Sequence, residues 1–148
     1  MNILRTDSAN TDFQTLVKSL DVTLSEHNGE NDDFFAQFNK IDTIKNCIVA
    51  YIDSIPAACG AFKPLSEDTV EIKRMFTHPE FRKRGLGSTI VQELENWAAE
   101  LNFKKAVLET SRDLKNAISV YEKNGFNRIP NYGQYIGVEQ SVCYKKVL

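Results

Sequence analysis

A chain of 148 residues with 42% hydrophobic and 26% charged side chains can bury one core without help from disulfides, and has the make-up of a single globular domain. Its net charge of −2 excludes a surface that holds nucleic acid through a general positive field, and the basic run Arg82–Lys83–Arg84 is local, the mark of a site. No run approaches the ~20 apolar residues of a membrane span, and the opening MNILRTDSAN has no apolar leader core, so no membrane association is expected.

Met1 to Arg5 reads as a short strand. Thr11 then opens a helix: Thr11-x-x-Gln14 is a capping-box pattern, and Phe13, Leu16, Val17 and Leu20 form one apolar stripe. Asn28-Gly29 supplies a stop, and a second short helix is expected after Asn31-Asp32, burying Phe34, Phe35, Phe38 and Ile41. Cys47–Ile52 and Ile55–Lys63 are strands joined tightly by Asp53-Ser54. After the loop Pro64 to Asp68 comes the strand Val70–Thr77, which ends because a residue before proline, here His78, is forced out of the helical region.

A basic loop, Phe81-Arg82-Lys83-Arg84, leads through Gly85-Leu86-Gly87-Ser88 into a long helix. Leu86, Ile90, Val91, Leu94, Trp97, Ala98 and Leu101 recur on its buried face. Lys104–Thr110 is a strand reached through that helix, hence parallel to its predecessor. Asp113–Asn124 is a helix with Leu114, Ala117, Ile118 and Tyr121 on one face, closed by Gly125 in the left-handed region. Phe126–Ile129 and Ser141–Val147 form a closing antiparallel pair around the loop Pro130–Gly137. The order β-α-α-β-β-β-α-β-α-β-β is that of a mixed α/β sheet in one domain spanning 1–148. Cys47, Cys59 and Cys143 lie in apolar runs without metal-ligand spacing; an odd number predicts reduced thiols, a cytoplasmic protein and no metal.

Strand, basic glycine loop and helix start read as an anion site, the alternative being a solvated basic turn before an ordinary helix start. The first N–H groups of a helix have no intrahelical partner and sit at its positive end. Glycines let a phosphate approach them, and three consecutive cations favour a polyanion there. The P-loop pattern is missing, and the dinucleotide fingerprint fails because Ile90 stands where a third glycine is needed.

Arg82-x-x-Gly85-x-Gly87 matches the R/Q-x-x-G-x-G/A signature of the GNAT superfamily of N-acetyltransferases, which this segment resembles. LETSRDLKNAISVYEKNGF resembles that family's second half, where a helix ends in Tyr-x-x-x-Gly-Phe; together the two cover Val70 to Phe126. The resemblance implies the GNAT fold, a mixed central sheet whose parallel strands, here Val70–Thr77 and Lys104–Thr110, splay apart. It implies acetyl-CoA as co-substrate, its pyrophosphate on Arg82, Lys83, Arg84, Gly85, Leu86, Gly87 and Ser88. Its pantetheine arm would pair with the main chain of Met75, Phe76 and Thr77, one of whose N–H groups polarises the thioester carbonyl. Asn116 is a candidate for a further cofactor contact, although the family's Asn or Gln stands seven residues before the tyrosine, a place held here by Leu114, and Asn116 two residues later would point elsewhere on the helix.

Acetyl transfer to an amine needs a base, because an alkyl amine has a pKa of about 10, and an acid for the departing thiolate. The resemblance places Tyr121 as the acid, and Glu71 matches the general base of the histone acetyltransferase branch. The bland alternatives are core packing for Tyr121 and an ion pair with Lys73 or Arg74 for Glu71. His27 and His78 read as structural or exposed, and Cys59 and Cys143 as core.

Two functions compete: an acetyl-CoA-dependent N-acetyltransferase working by direct transfer in a ternary complex, and a CoA-ester sensor without turnover. A nucleic-acid-binding role for Arg82–Arg84 finds no reading motif. The acceptor is a small-molecule or peptide amine, and the protein a monomer or homodimer. Glu26, Glu30, Asp32 and Asp33, with Tyr132, Gln134 and Tyr135, would shape the acceptor side.

Overall fold

The computed structural model describes residues 1–28 and 43–148. The expected second helix around Phe34–Ile41 and the acidic residues Glu30, Asp32 and Asp33 lie outside the described residues. Among the described residues the elements run β1 (Asn2–Thr6), α1 (Thr11–Asn28), β2 (Asn46–Ile52), β3 (Ile55–Pro64) and β4 (Thr69–Thr77). They continue with α2 (Leu86–Glu100), β5 (Lys105–Ser111), α3 (Lys115–Lys123), β6 (Asn127–Ile129) and β7 (Ser141–Val147). The strands form one sheet in the order β1-β2-β3-β4-β5-β7-β6. All neighbours are antiparallel except β4 and β5, the pair bridged by α2.

Each face of the sheet has its own core. Phe13, Leu16, Val17 and Leu20 of α1 pack on Cys47, Val49, Cys59, Ala61 and Phe76. On the other face Leu86, Ile90, Val91, Leu94 and Ala98 of α2 cover Ile48, Ala58, Phe62 and Ile72. That alternation along β2 and β3 is the period-two reading of an apolar strand buried on both sides. Asp53 and Ser54 both have positive φ (48° and 66°), the geometry of the tight hairpin expected there.

Several sequence expectations need correction. The N-cap of α1 is Asn10, whose Oδ1 accepts from Phe13 N at 2.9 Å, and Gln14 reaches back to Ser8 O instead of closing a box with Thr11. Leu101 lies beyond α2 and is half exposed, so it is not part of the buried stripe. Helix α3 starts at Lys115, later than expected, and of its predicted apolar face only Tyr121 is fully buried. Ala117 is half covered because it lines an opening in the sheet, and Ile118 packs only partly against the core on the α2 side.

Candidate active site

The opening arises from how β4 and β5 pair. Their parallel register covers only Thr69↔Lys105, Val70↔Ala106 and Glu71↔Val107. Beyond Glu71, β4 has no partner on that side. Its register with β3 also slips, since Cys59 opposes Phe76 while Ala61 opposes Lys73, which leaves one extra residue in β4. Arg74 sits in this bulge with a φ of +61°, a left-handed conformation rare for a long side chain. Burial of Arg74 and its ion pair with Asp21 of α1, at 3.1 Å, hold the strained bulge in place.

The gap is a cavity of about 150 Å³ whose walls include Glu71, Lys73, Met75, Glu109, Tyr121 and Tyr135. Two carboxylates share it. Glu71 is buried; Tyr132 donates its hydroxyl to Oε2 at 2.5 Å, and Lys73 Nζ stands 3.6 Å from Oε1. Glu109, on β5, accepts a 2.6 Å hydrogen bond from Ser141 Oγ on Oε2. Burial raises the Glu109 carboxyl above the ordinary range, the Ser141 bond opposes this, and the Glu71 charge adds to it. Tyr132 is pushed well above the usual phenol range by burial and then by Glu71, so its proton stays on oxygen.

Tyr121 enters the same cavity from α3. Its ring meets Phe126 edge-on at 6.0 Å, and Phe126 N returns to Tyr121 O at 3.0 Å, closing the helix over Gly125 at a φ of +88°. Among the described residues its hydroxyl makes no hydrogen bond. Burial, then the Glu109 charge, raises its pKa above the phenol range. Tyr121 therefore packs as core at its ring and faces the cavity at its oxygen.

The glycine loop lies where β4 ends and α2 begins. Gly85 is the N-cap at a φ of +76°, with nothing within 4 Å of the place its Cβ would take. That open surface before unpaired N–H groups suits a phosphate. Gly87 differs: a Cβ there would lie 3.6 Å from both Val120 methyls, an ordinary van der Waals contact, so this position faces α3 and has room for a methyl group. Arg82 folds back, its Nε donating to Thr77 O at 3.0 Å, and Arg84 stacks over Phe81 at 5.3 Å. Ser88 Oγ accepts from Asn124 Nδ2 at 3.0 Å, which ties the first turn of α2 to the end of α3. Leu86 faces the core and Lys83 is exposed.

The gap thus brings together Glu71, Met75 and Tyr121. Phe76 turns its side chain into the α1 core, and Asn116 is exposed on α3, away from the cavity walls. His78 caps the short turn Pro79–Phe81, its Nδ1 accepting from Glu80 N at 3.2 Å, and the three cysteines are buried free thiols. Glu109 was missed by the sequence reading. Its one local signal is a lone carboxylate directly after the apolar run Ala106–Leu108 of a central strand, which does not tell that it meets Glu71. Among the described residues no cluster suited to a metal ion occurs, and no helix is long and apolar enough to cross a membrane.

A splayed parallel pair in a mixed seven-stranded sheet, with a glycine-capped helix at its open end, is the fold of the acyl-CoA N-acyltransferases. An acyl-CoA N-acyltransferase-assigned structure from Klebsiella pneumoniae superposes with a TM-score of 0.82 at 22% identity, over 99% of this chain and 97% of that one. The PaiA N-acetyltransferase of Thermoplasma acidophilum, in complex with coenzyme A, gives 0.73 at 18% identity over the whole of both chains. The model of the acetyltransferase (GNAT) family matches residues 13–126, and the chain belongs to that family. An uncharacterised N-acetyltransferase of Escherichia coli, YjgM, is 36% identical over 73 residues, which are 47% of this chain and 44% of that protein. One from Dictyostelium discoideum is 40% identical over 62 residues, 42% of this chain and 29% of its own. The chain thus spans less than half the length of these two curated relatives.

Proposed function

We propose that the protein is an N-acetyltransferase that moves the acetyl group of acetyl-CoA directly to a primary amine within a ternary complex. The observation that carries this reading is the placement of a phenol and two carboxylates around one gap in the sheet, next to a glycine-capped helix start. Structural neighbours with coenzyme A or acetyl-CoA bound, such as PaiA and an Elizabethkingia anophelis GNAT acetyltransferase, support the choice of donor.

Gly85, Leu86, Gly87 and Ser88 would present the N–H groups of the α2 start to the pyrophosphate, with Arg82, Lys83 and Arg84 supplying positive charge around it. Acetyl-CoA supplies an activated thioester carbonyl, and the Met75–Thr77 main chain, unpaired on the β5 side, would line its arm and offer an N–H to the carbonyl oxygen. Tyr121 would hand its proton to the departing thiolate; a phenol that keeps its proton at neutral pH is available for that. The acceptor's proton would go to the carboxylate pair. Both oxygens of Glu71 are engaged, by Tyr132 and Lys73. Glu109 has a described hydrogen bond on Oε2 alone, and burial raises its carboxyl in the direction that favours taking a proton, so within the pair it is the better final acceptor, with Glu71 holding the ammonium beside it.

Incubating the protein with acetyl-CoA and a panel of amino acids, polyamines, aminoglycosides and N-terminal peptides tests this. Thiol release that depends on one amine class, with the acetylated amine identified by mass, is expected. Tight binding of acetyl-CoA without release for any amine would instead indicate a sensor.

A further inference from the structure

Asn131 lies between β6 and the short turn Gly133–Tyr135, outside the cavity walls. Its Nδ2 is within hydrogen-bond distance of three main-chain carbonyls: Tyr135 O at 3.1 Å, Val138 O at 3.0 Å and Ser141 O at 3.1 Å. An amide nitrogen carries two hydrogens, so one of them is shared. The three carbonyls run from the turn to the first residue of β7, and one side chain therefore gathers the whole loop.

Short-range turn bonds such as Tyr135 N to Tyr132 O and Val138 N to Tyr135 O shape its parts, and Gln140 ties its far end to Ser111 and Asp113, but the Asn131 amide alone joins the turn, Val138 and the start of β7 through one side chain. β6 pairs with β7 over only Asn127–Ile129, and Gly133 and Gly137 bend the backbone at φ values of +53° and +81°. Yet this loop delivers two rings to the carboxylate side of the cavity. Tyr135 is buried there and meets Tyr132 edge-on at 5.8 Å, and the Tyr132 hydroxyl reaches across to Glu71.

We infer that Asn131 is a positioning residue for the acceptor side: its amide fastens the loop so that Tyr132 stands on Glu71 and the acceptor meets a preformed aromatic wall. This rests on the acetyltransferase reading for its kinetic consequence, but not for its structural one. An acceptor held by preformed rings costs no loop ordering when it binds, so releasing the loop weakens acceptor binding and leaves the CoA side, on β4, α2 and α3, untouched.

Asn131→Asp tests it by turning an oxygen toward three carbonyl oxygens; Asn131→Ser, which keeps one donor, takes its place should the first variant not fold. Acceptor KM should rise about tenfold or more, with the Kd for acetyl-CoA within about twofold of wild type. Adding Tyr132→Phe to the variant should cost little more, because both act on one contact. A second readout needs no substrate. The Tyr132 hydroxyl meets Glu71 of β4, which itself neighbours Lys73 and, on β5, Glu109; Cys143 of β7 and Tyr135 of its own loop also act on it, so in the wild type it should resist ionisation. In the variant one additional tyrosine should titrate near the ordinary value of about 10 by tyrosinate absorbance. An unchanged titration overturns the proposal, and so does a loss of acceptor and acetyl-CoA affinity in parallel. A wild-type protein that acetylates no amine would defeat the acetyltransferase reading alone, and the titration would still decide the role of Asn131.

Discussion

The Tyr132 hydroxyl donates to Glu71 Oε2 at 2.5 Å across 61 residues of sequence, while Lys73 holds the other oxygen of the same carboxylate. A buried acid engaged at both oxygens is poorly placed to finish a proton transfer, whereas its neighbour Glu109 has a described hydrogen bond to Oε2 alone, from Ser141.

The two carboxylates should therefore separate kinetically. Glu109→Gln should lower turnover by about 10²–10⁴-fold, the usual worth of a general base, with the loss greatest at low pH, where little free amine exists in solution. Glu71→Gln should act more on acceptor KM than on turnover. pH–rate profiles of both variants decide it: a Glu109→Gln profile that overlays wild type, beside a collapsed Glu71→Gln, would hand the proton to Glu71.

Glu109 also carries a stability cost with a definite sign. Its folded-state pKa is raised, so between the ordinary glutamate value and that raised value the native state holds more protons than the unfolded chain. Stability from this group is full below the ordinary value and is lost as pH rises through the folded one. Glu109→Gln escapes that loss and should melt above wild type at neutral pH, by about 2–4 °C for each kcal/mol recovered. The gain should vanish on acidification. A difference in Tm that is the same at acid and neutral pH would contradict the assignment.

Gly60 links the core to the site. A Cβ there would lie 2.6 Å from Ile90 Cγ2 and 2.6 Å from Met75 Sδ, beside the β4 bulge. Ile90 is fully buried and cannot yield, so relief has to displace Met75 into the cavity. Gly60→Ala should cost about 1–3 kcal/mol, the range for overpacking a core, and should lower activity as well as Tm. An unchanged melting curve would show that α2 stands off β3 more than the structure places it.

Much of this was legible in the sequence, for physical reasons that differ by element. Asp53-Ser54, the pre-proline His78 and the Gly125 stop each follow from local backbone preferences, which act without the rest of the chain. The stripe of α2 and the parallel pairing of β4 with β5 follow from apolar periodicity and from the helix between them. Asn10 displaced Thr11 as the cap of α1 because competing cap residues differ by little in energy. Glu109 was hidden because pairing across the sheet, not sequence spacing, brings it beside Glu71. Tyr132 was placed on the acceptor side, but nothing local predicts that its hydroxyl meets a carboxylate so far upstream. The β4 bulge at Arg74 left no signal in composition; it arises from the slip in register between β3 and β4.

Acid–base acetyl transfer in the gap between β4 and β5 is tested most directly by Tyr121→Phe. The substitution keeps the ring and its contact with Phe126 and removes only the hydroxyl, which has no described hydrogen-bond partner, so folding should be unaffected or slightly favoured. Measured with the best amine of the panel, turnover should fall about 10²–10⁴-fold while acetyl-CoA affinity and Tm stay close to wild type. Turnover within a few-fold of wild type would contradict the account.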